Sequence, residues 1–165
     1  CDSINSEKRK SCVKILNILL KSLLRWFAPI MSFTTEEIYQ LVSKKNKSIH
    51  LEKFLKFPNK FKNQKLEEKW SELIKIRDVC NISIEEKRAS KEIGSSLEAD
   101  LGIKLNEKYK EIVRDIDLSE LCIVSKTDIN FDKGSDILVE TKKALGNKCP
   151  VCWKISVDQC KRHPK

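Results

Sequence analysis

Glycine is scarce in this chain. Four in 165 residues leave little material for the glycine-rich loops whose backbone N–H groups cradle phosphates. Histidine is scarcer. His50 and His163 both stand in basic stretches, and no Ser/His/Asp set for nucleophilic catalysis assembles around either. Carboxylates are plentiful but scattered along expected solvent faces, where paired acid–base chemistry is not expected. Catalytic residues are therefore expected to be absent. No internal repeat is visible, and neither a signal-peptide pattern nor an apolar run of membrane-spanning length is seen. A cytoplasmic location with no membrane partner is expected.

What is present is positive charge. Thirty-three Lys and Arg against 24 Asp and Glu give a net charge of +9, which favours a polyanionic partner, nucleic acid before membrane. The plain alternative is a lysine-rich surface that serves only solubility. The uneven distribution is better evidence for a partner than the total: residues 44–69 carry +6, residues 138–165 carry +5, and residues 70–137 carry −4. Any nucleic acid should track the two basic flanks. The length allows one good core or two small modules. Seven cysteines are an odd number, and Cys12, Cys80 and Cys122 stand singly inside apolar patterns, as small buried hydrophobes do in a reducing compartment. The chain opens on Cys1 rather than Met, so a piece of a larger protein is expected.

Along the chain, Val13, Leu16, Leu20, Leu23 and Phe27 recur at helical steps, predicting a helix over 8–28 that packs on more than one neighbour and ends at Pro29. Trp26 is expected in the core. Thr34 and Glu37 predict a capping box, with Phe33 stapled to Ile38, at the start of a second helix. In the lysine-rich connection that follows, Phe54, Phe57 and Phe61 are expected to staple the loop to the helices rather than stack on bases. A long helix over 66–93 buries Trp70, Leu73, Ile76, Cys80 and Ile84 and stops at Gly94. Then the pattern changes. Strands are expected at 96–105, 121–124 and 137–141, with a short helix over 107–116. Gly146 opens a cysteine module.

That module reads Cys149-Pro150-Val151-Cys152-Trp153, with Cys160 and His163 close behind. Two thiols separated by two residues turn their sulfurs toward one point, as a tetrahedral zinc site requires. A redox-active pair is the alternative, but it expects a strand-to-helix setting beside a βαβ unit.

The order of motifs resembles one family. Leu24-Arg25-Trp26-Phe27-Ala28-Pro29-Ile30-Met31-Ser32-Phe33-Thr34-Thr35-Glu36-Glu37-Ile38 is similar to the helix corner in the anticodon-binding domain of class I aminoacyl-tRNA synthetases. The run from Ile76-Arg77-Asp78-Val79-Cys80 to Gly94-Ser95-Ser96-Leu97-Glu98-Ala99 resembles bacterial isoleucyl-tRNA synthetases, as do Leu118–Ser125 and the stretch from Ala144 to Trp153. The resemblance covers nearly the whole chain. It implies a mainly α fold in three parts: an anticodon-binding helical bundle (1–93, incomplete at its N-terminal side), a small α+β subdomain (94–143) and a zinc finger (144–165). It implies a tRNA(Ile)-binding tail of a monomeric isoleucine–tRNA ligase. ATP is consumed by a catalytic domain elsewhere, since no HIGH-type or KMSKS-type signature occurs here. The tail's task is to hold the anticodon stem and loop so that the acceptor end reaches that domain.

One departure stands out. The family finger has two CxxC pairs, and this chain has one. Either the chain stops short of the last two ligands, or Cys160 and His163 join Cys149 and Cys152 around structural Zn2+. Stacking and phosphate contact near the finger fall to Lys148, Trp153, Lys154, Lys161 and Arg162, with Trp153 equally suited to packing over the metal loop. Arg77, Arg88 and Lys91 on the long helix are candidates for tracking a stem backbone, against an ordinary solvated face. A DNA-binding zinc module of the base-excision glycosylase type would not explain the helix corner. A valyl enzyme would end in a coiled-coil arm rather than in CxxC.

Overall fold

Ser6 opens the first helix by accepting the Arg9 N–H on its hydroxyl, in a computed structural model that describes residues 5–43, 47–134, 137–160 and 163. The chain divides into two units, Cys1–Lys62 and Asn63–Lys165. No helix among the described residues is long and apolar enough to cross a membrane.

In the first unit, α1 (Glu7–Phe27) and α2 (Ser32–Val42) meet at the Pro29 corner, and a 3-10 turn (Ile49–Leu51) folds back on both. Leu24, Ala28, Tyr39 and Ile49 form its core, with Leu20 and Ile38 against them. A partly buried ion pair braces this corner: Arg25 Nη2 lies 2.8 Å from Glu52 Oε2, and Tyr39 Oη donates to Glu52 Oε1 at 2.9 Å. Glu36 ties α2 to the 3-10 turn, accepting from Ser48 Oγ at 2.8 Å and from the Ile49 N–H at 2.9 Å.

Several sequence expectations fail in this unit. Helix α2 begins at Ser32 with no side-chain cap, and Thr35 instead returns its hydroxyl to the Met31 carbonyl at 2.8 Å. With the start three residues early, Thr34 and Glu37 are out of capping register, and Phe33 is 93% exposed rather than stapled. Trp26 is 54% exposed, and Val13, Leu16, Leu23 and Phe27 are exposed with it; among the described residues of the unit, α2 and the 3-10 turn pack on α1 against Leu20 and Leu24. Phe54, Phe57 and Phe61 are exposed too. They are not buried as staples would be.

The second unit is built on α3 (Gln64–Ala89), N-capped by Asn63, whose Oδ1 accepts from the Leu66 N–H at 3.1 Å. Leu73, Ile76, Cys80 and Ile84 are buried at helical spacing. They pack on strand β1 (Ala99–Asn106), which alternates to present Ala99, Leu101, Ile103 and Leu105 to the same core. The sheet order is β2-β1-β3: β2 (Lys126–Asp132) runs parallel to β1 and β3 (Ile137–Lys143) antiparallel, placing Ile103 between Ile129 and Val139. The parallel pair needs a crossover, supplied by α4 (Lys110–Val113) and α5 (Leu118–Leu121). Ser83 Oγ meets Thr141 Oγ1 at 2.7 Å and fixes helix to sheet. Each large apolar side chain in this core contributes about 1.5–3 kcal/mol by leaving water.

The apolar face of α3 joins the core of the sheet, in the unit that begins at Asn63. The stretch 121–124 is no strand. Asp117 accepts from the Ser119 N–H at 2.9 Å and starts a helical turn, and Ile123 then takes a left-handed conformation (φ 57°). A four-residue apolar run carries no periodicity with which to tell the two apart. Nor does Gly94 end α3. The helix stops at Ala89 in a Schellman motif with Lys91 at the left-handed position (φ 61°), where the Glu92 N–H reaches the Lys87 carbonyl at 3.1 Å and Lys91 N–H the Arg88 carbonyl at 3.0 Å. Of the lone cysteines, Cys80 and Cys122 are buried, while Cys12 is exposed. Trp70, also expected in the core, is half-exposed.

Candidate metal centre and nucleic-acid surface

Past β3 the chain makes a short hairpin, β4 (Asn147–Lys148) against β5 (Ile155–Ser156). Gly146 enters it at φ +121°, where a Cβ would sit 2.2 Å from the Ser156 carbonyl carbon and oxygen. Only glycine fits there. The hairpin turn is closed by two backbone bonds: the Cys149 N–H to the Lys154 carbonyl and the Trp153 N–H to the Cys149 carbonyl, each 2.9 Å. Trp153 adopts a left-handed φ of 64° to complete it. The knuckle is bolted to the rest of its unit. The Ile155 N–H reaches Ser125 Oγ at 2.6 Å, and Lys154 Nζ reaches Glu120 Oε1 at 2.7 Å and Ser119 Oγ at 3.1 Å.

This turn brings Cys149 and Cys152 together, and Cys160 and His163 complete the cluster. The four ligand atoms all lie within 4.8 Å of one another. Cys152 Sγ is 3.7 Å from Cys160 Sγ, and His163 Nδ1 is 3.7 Å from Cys149 Sγ and 3.5 Å from Cys160 Sγ. A tetrahedral ion with metal–sulfur bonds of about 2.3 Å and a metal–nitrogen bond of about 2.0–2.1 Å demands S···S edges of about 3.8 Å and S···N edges of about 3.6 Å. The donor set fits zinc. The backbone N–H groups of Cys152 and Val151 lower the Cys149 thiol to about 6, favouring the thiolate a metal needs, while burial raises the Cys152 thiol. A parallel β1–β2 crossover does exist in this unit, although none was expected near the CxxC; the cysteines lie in the separate β4–β5 hairpin and head no helix.

Of the residues expected to meet nucleic acid, Lys148 and Trp153 stand together. Lys148 Nζ lies 5.7 Å from the indole centroid, and Trp153 is exposed. Lys154 holds the knuckle to α5 through its ion pair with Glu120. Lys161 and Arg162 lie outside the described residues. Arg77 is half-buried with its Nε buried; the thiol of buried Cys122 is lowered first by its hydrogen bond with Cys80, and the Arg77 charge acts in the same direction. Arg88 pairs with Glu85 at 2.7 Å on the surface, and Lys91 lies past the last turn of α3 in the Schellman motif rather than on the helix. Phe54, Phe57 and Phe61, expected to staple the loop rather than stack on bases, are exposed in the first unit and alternate with lysine over 53–62.

A family model described as the anticodon-binding domain of tRNA ligase matches residues 2–113. Among curated relatives, the isoleucine–tRNA ligase of Pelagibacter ubique (strain HTCC1062) is 58% identical over 163 residues, covering 99% of this chain and 18% of the relative. That of Methylacidiphilum infernorum (isolate V4) is 38% identical, covering 95% of this chain and 17% of its own length. The one from Bartonella quintana (strain Toulouse) is 34% identical, covering 96% and 17%. The chain thus spans less than a fifth of the length of these relatives.

Proposed function

Because this chain belongs to the family of anticodon-binding domains of tRNA ligases, we propose that it holds the anticodon stem and loop of tRNA(Ile) for an isoleucine–tRNA ligase. The match over residues 2–113 carries this reading, and the likeness to isoleucine–tRNA ligases along almost the whole chain names the tRNA. ATP-dependent aminoacylation would belong to the remainder of a protein as long as those relatives, acting in the cytoplasm as a monomer. The part played here is binding at a distance, which orients the acceptor end without touching the reacting atoms.

The second basic zone, residues 138–165, contains the knuckle. Cys149, Cys152, Cys160 and His163 would hold one structural Zn2+, which supplies folding energy to a hairpin too short to stand alone. Lys148 and Trp153, with Lys161 and Arg162 beyond them, would then face RNA as charge and stacking surface. Metal analysis of the purified chain tests the ligand set: one zinc per chain is expected, lost in Cys160→Ser and in His163→Ala. Full zinc in both variants would assign the third and fourth ligands elsewhere.

Filter binding of tRNA(Ile) and of duplex DNA at two salt concentrations tests the function. The expected result is tRNA binding that weakens as salt rises, with each phosphate-bound cation adding to the slope. Tighter binding of duplex DNA would instead mark a DNA-binding zinc module, and binding of neither would mark a structural part.

A further inference from the structure

Residues 53–62 read Lys-Phe-Leu-Lys-Phe-Pro-Asn-Lys-Phe-Lys: four lysines, three phenylalanines and no acid. Phenylalanines at this spacing normally go inside. Here Phe54 is 63%, Phe57 48% and Phe61 61% exposed. The four ammonium groups are equally available, for among the described residues none is held in an ion pair.

The segment is also held in shape. Its start is fixed by Arg25, whose Nε donates to the Lys53 carbonyl at 2.9 Å while its Nη2 grips Glu52 at 2.8 Å. Pro58 sets an extended backbone (φ −59°, ψ 143°) and leads into a 3-10 turn at Asn59–Phe61. Rings on a segment anchored at its start and closed by a 3-10 turn lose little entropy when something lies on them.

We infer that residues 53–62 form a stacking platform for unpaired RNA nucleotides, with Phe54, Phe57 and Phe61 offering ring faces to bases and Lys53, Lys56, Lys60 and Lys62 meeting the phosphates between them. Alternating cations and aromatic faces are what a single strand presents in complement, since every base has a face to stack and a phosphate to neutralise. A duplex hides its base faces, and a protein partner would not call for four uncompensated positive charges. The choice of RNA rests on the proposed function, in which an anticodon loop supplies the unpaired bases.

The test compares the intact chain with three variants: Phe54→Leu/Phe57→Leu/Phe61→Leu, the same positions changed to Tyr, and Lys53, Lys56, Lys60 and Lys62 all changed to Gln. Each is titrated with a labelled unpaired RNA oligonucleotide, its blunt duplex and a tRNA(Ile) transcript. Because the rings are exposed, melting temperature should not move in any variant. The Leu variant should bind the single strand about tenfold more weakly for each stack lost, and the Tyr variant should bind like the parent. The Gln variant should flatten the salt dependence by about 0.7 for each phosphate contact removed. Equal binding by the Leu variant and the parent, or equal affinity for strand and duplex, overturns the platform. If the parent binds tRNA(Ile) and the Leu variant does so equally, the platform falls and the proposed function stands. Phenylalanine-dependent binding of the single strand without any preference for tRNA(Ile) would have the opposite meaning.

Discussion

Replacing Gly146 by alanine probes the knuckle without touching a proposed ligand. The added Cβ would lie 2.2 Å from the Ser156 carbonyl and 2.5 Å from the Val157 nitrogen, all backbone atoms that cannot rotate away. Reaching ordinary contact requires moving β4 and β5 apart by roughly 1 Å, and the φ of +121° adds about 1–3 kcal/mol for a residue with a side chain. The hairpin pairs through only two residues on each strand, so it has little with which to resist. Cys149 and Cys152 sit on one side of the displacement, Cys160 and His163 on the other. A penalty of about 3 kcal/mol appearing in the metal-bound state lowers affinity roughly 150-fold. Competitive titration against a chromogenic zinc chelator reads this directly. Gly102→Ala is the control, because its Cβ would meet only the Glu140 carbonyl at an ordinary 3.8 Å. Zinc affinity in Gly146→Ala within threefold of the parent would refute the claim that the hairpin brings the two ligand pairs together.

Other outcomes follow from the same structure. Ile76→Ala, in the fully buried face of α3, should cost about 2–5 kcal/mol of stability in chemical denaturation. Lys91→Gly should stabilise by about 0.5–1 kcal/mol, because it relieves a left-handed lysine in the Schellman motif; destabilisation would place the chain end differently. Glu36 is held below the usual carboxylate value by hydrogen bonds from Gln40, then Ser48, then the Ile49 N–H. Its contribution is therefore present above its unfolded value and lost as pH falls through the folded one. NMR titration should show a Glu36 midpoint below 4.5, and Glu36→Gln should remove that part of the acid limb.

The long helices were legible because their signals are periodic and local. The buried face of α3 from Leu73 to Ile84 was readable directly, as was β3, from apolar residues at fixed steps. What failed was governed by contacts that no local window contains. Trp26 and Phe33 read as core because apolar residues at a helix corner usually are, yet too little packs on that face within the first unit. The run 121–124 read as a strand because nothing in four apolar residues announces the Asp117 cap that turns it into a helix end. At the knuckle, the spacing of Cys149 and Cys152 pointed to a metal, but the seating of Cys160 and His163 beside them depends on the β4–β5 pairing. The ion pair of Lys154 was not legible either, since only the fold brings Glu120 to it across 34 positions of sequence.

Nuclease footprinting of tRNA(Ile) by the purified, zinc-loaded chain reaches the core of this account. Protection should cover the anticodon stem and loop and leave the acceptor arm open to cleavage. Protection confined to the acceptor arm, or a pattern indistinguishable from free tRNA, would contradict it.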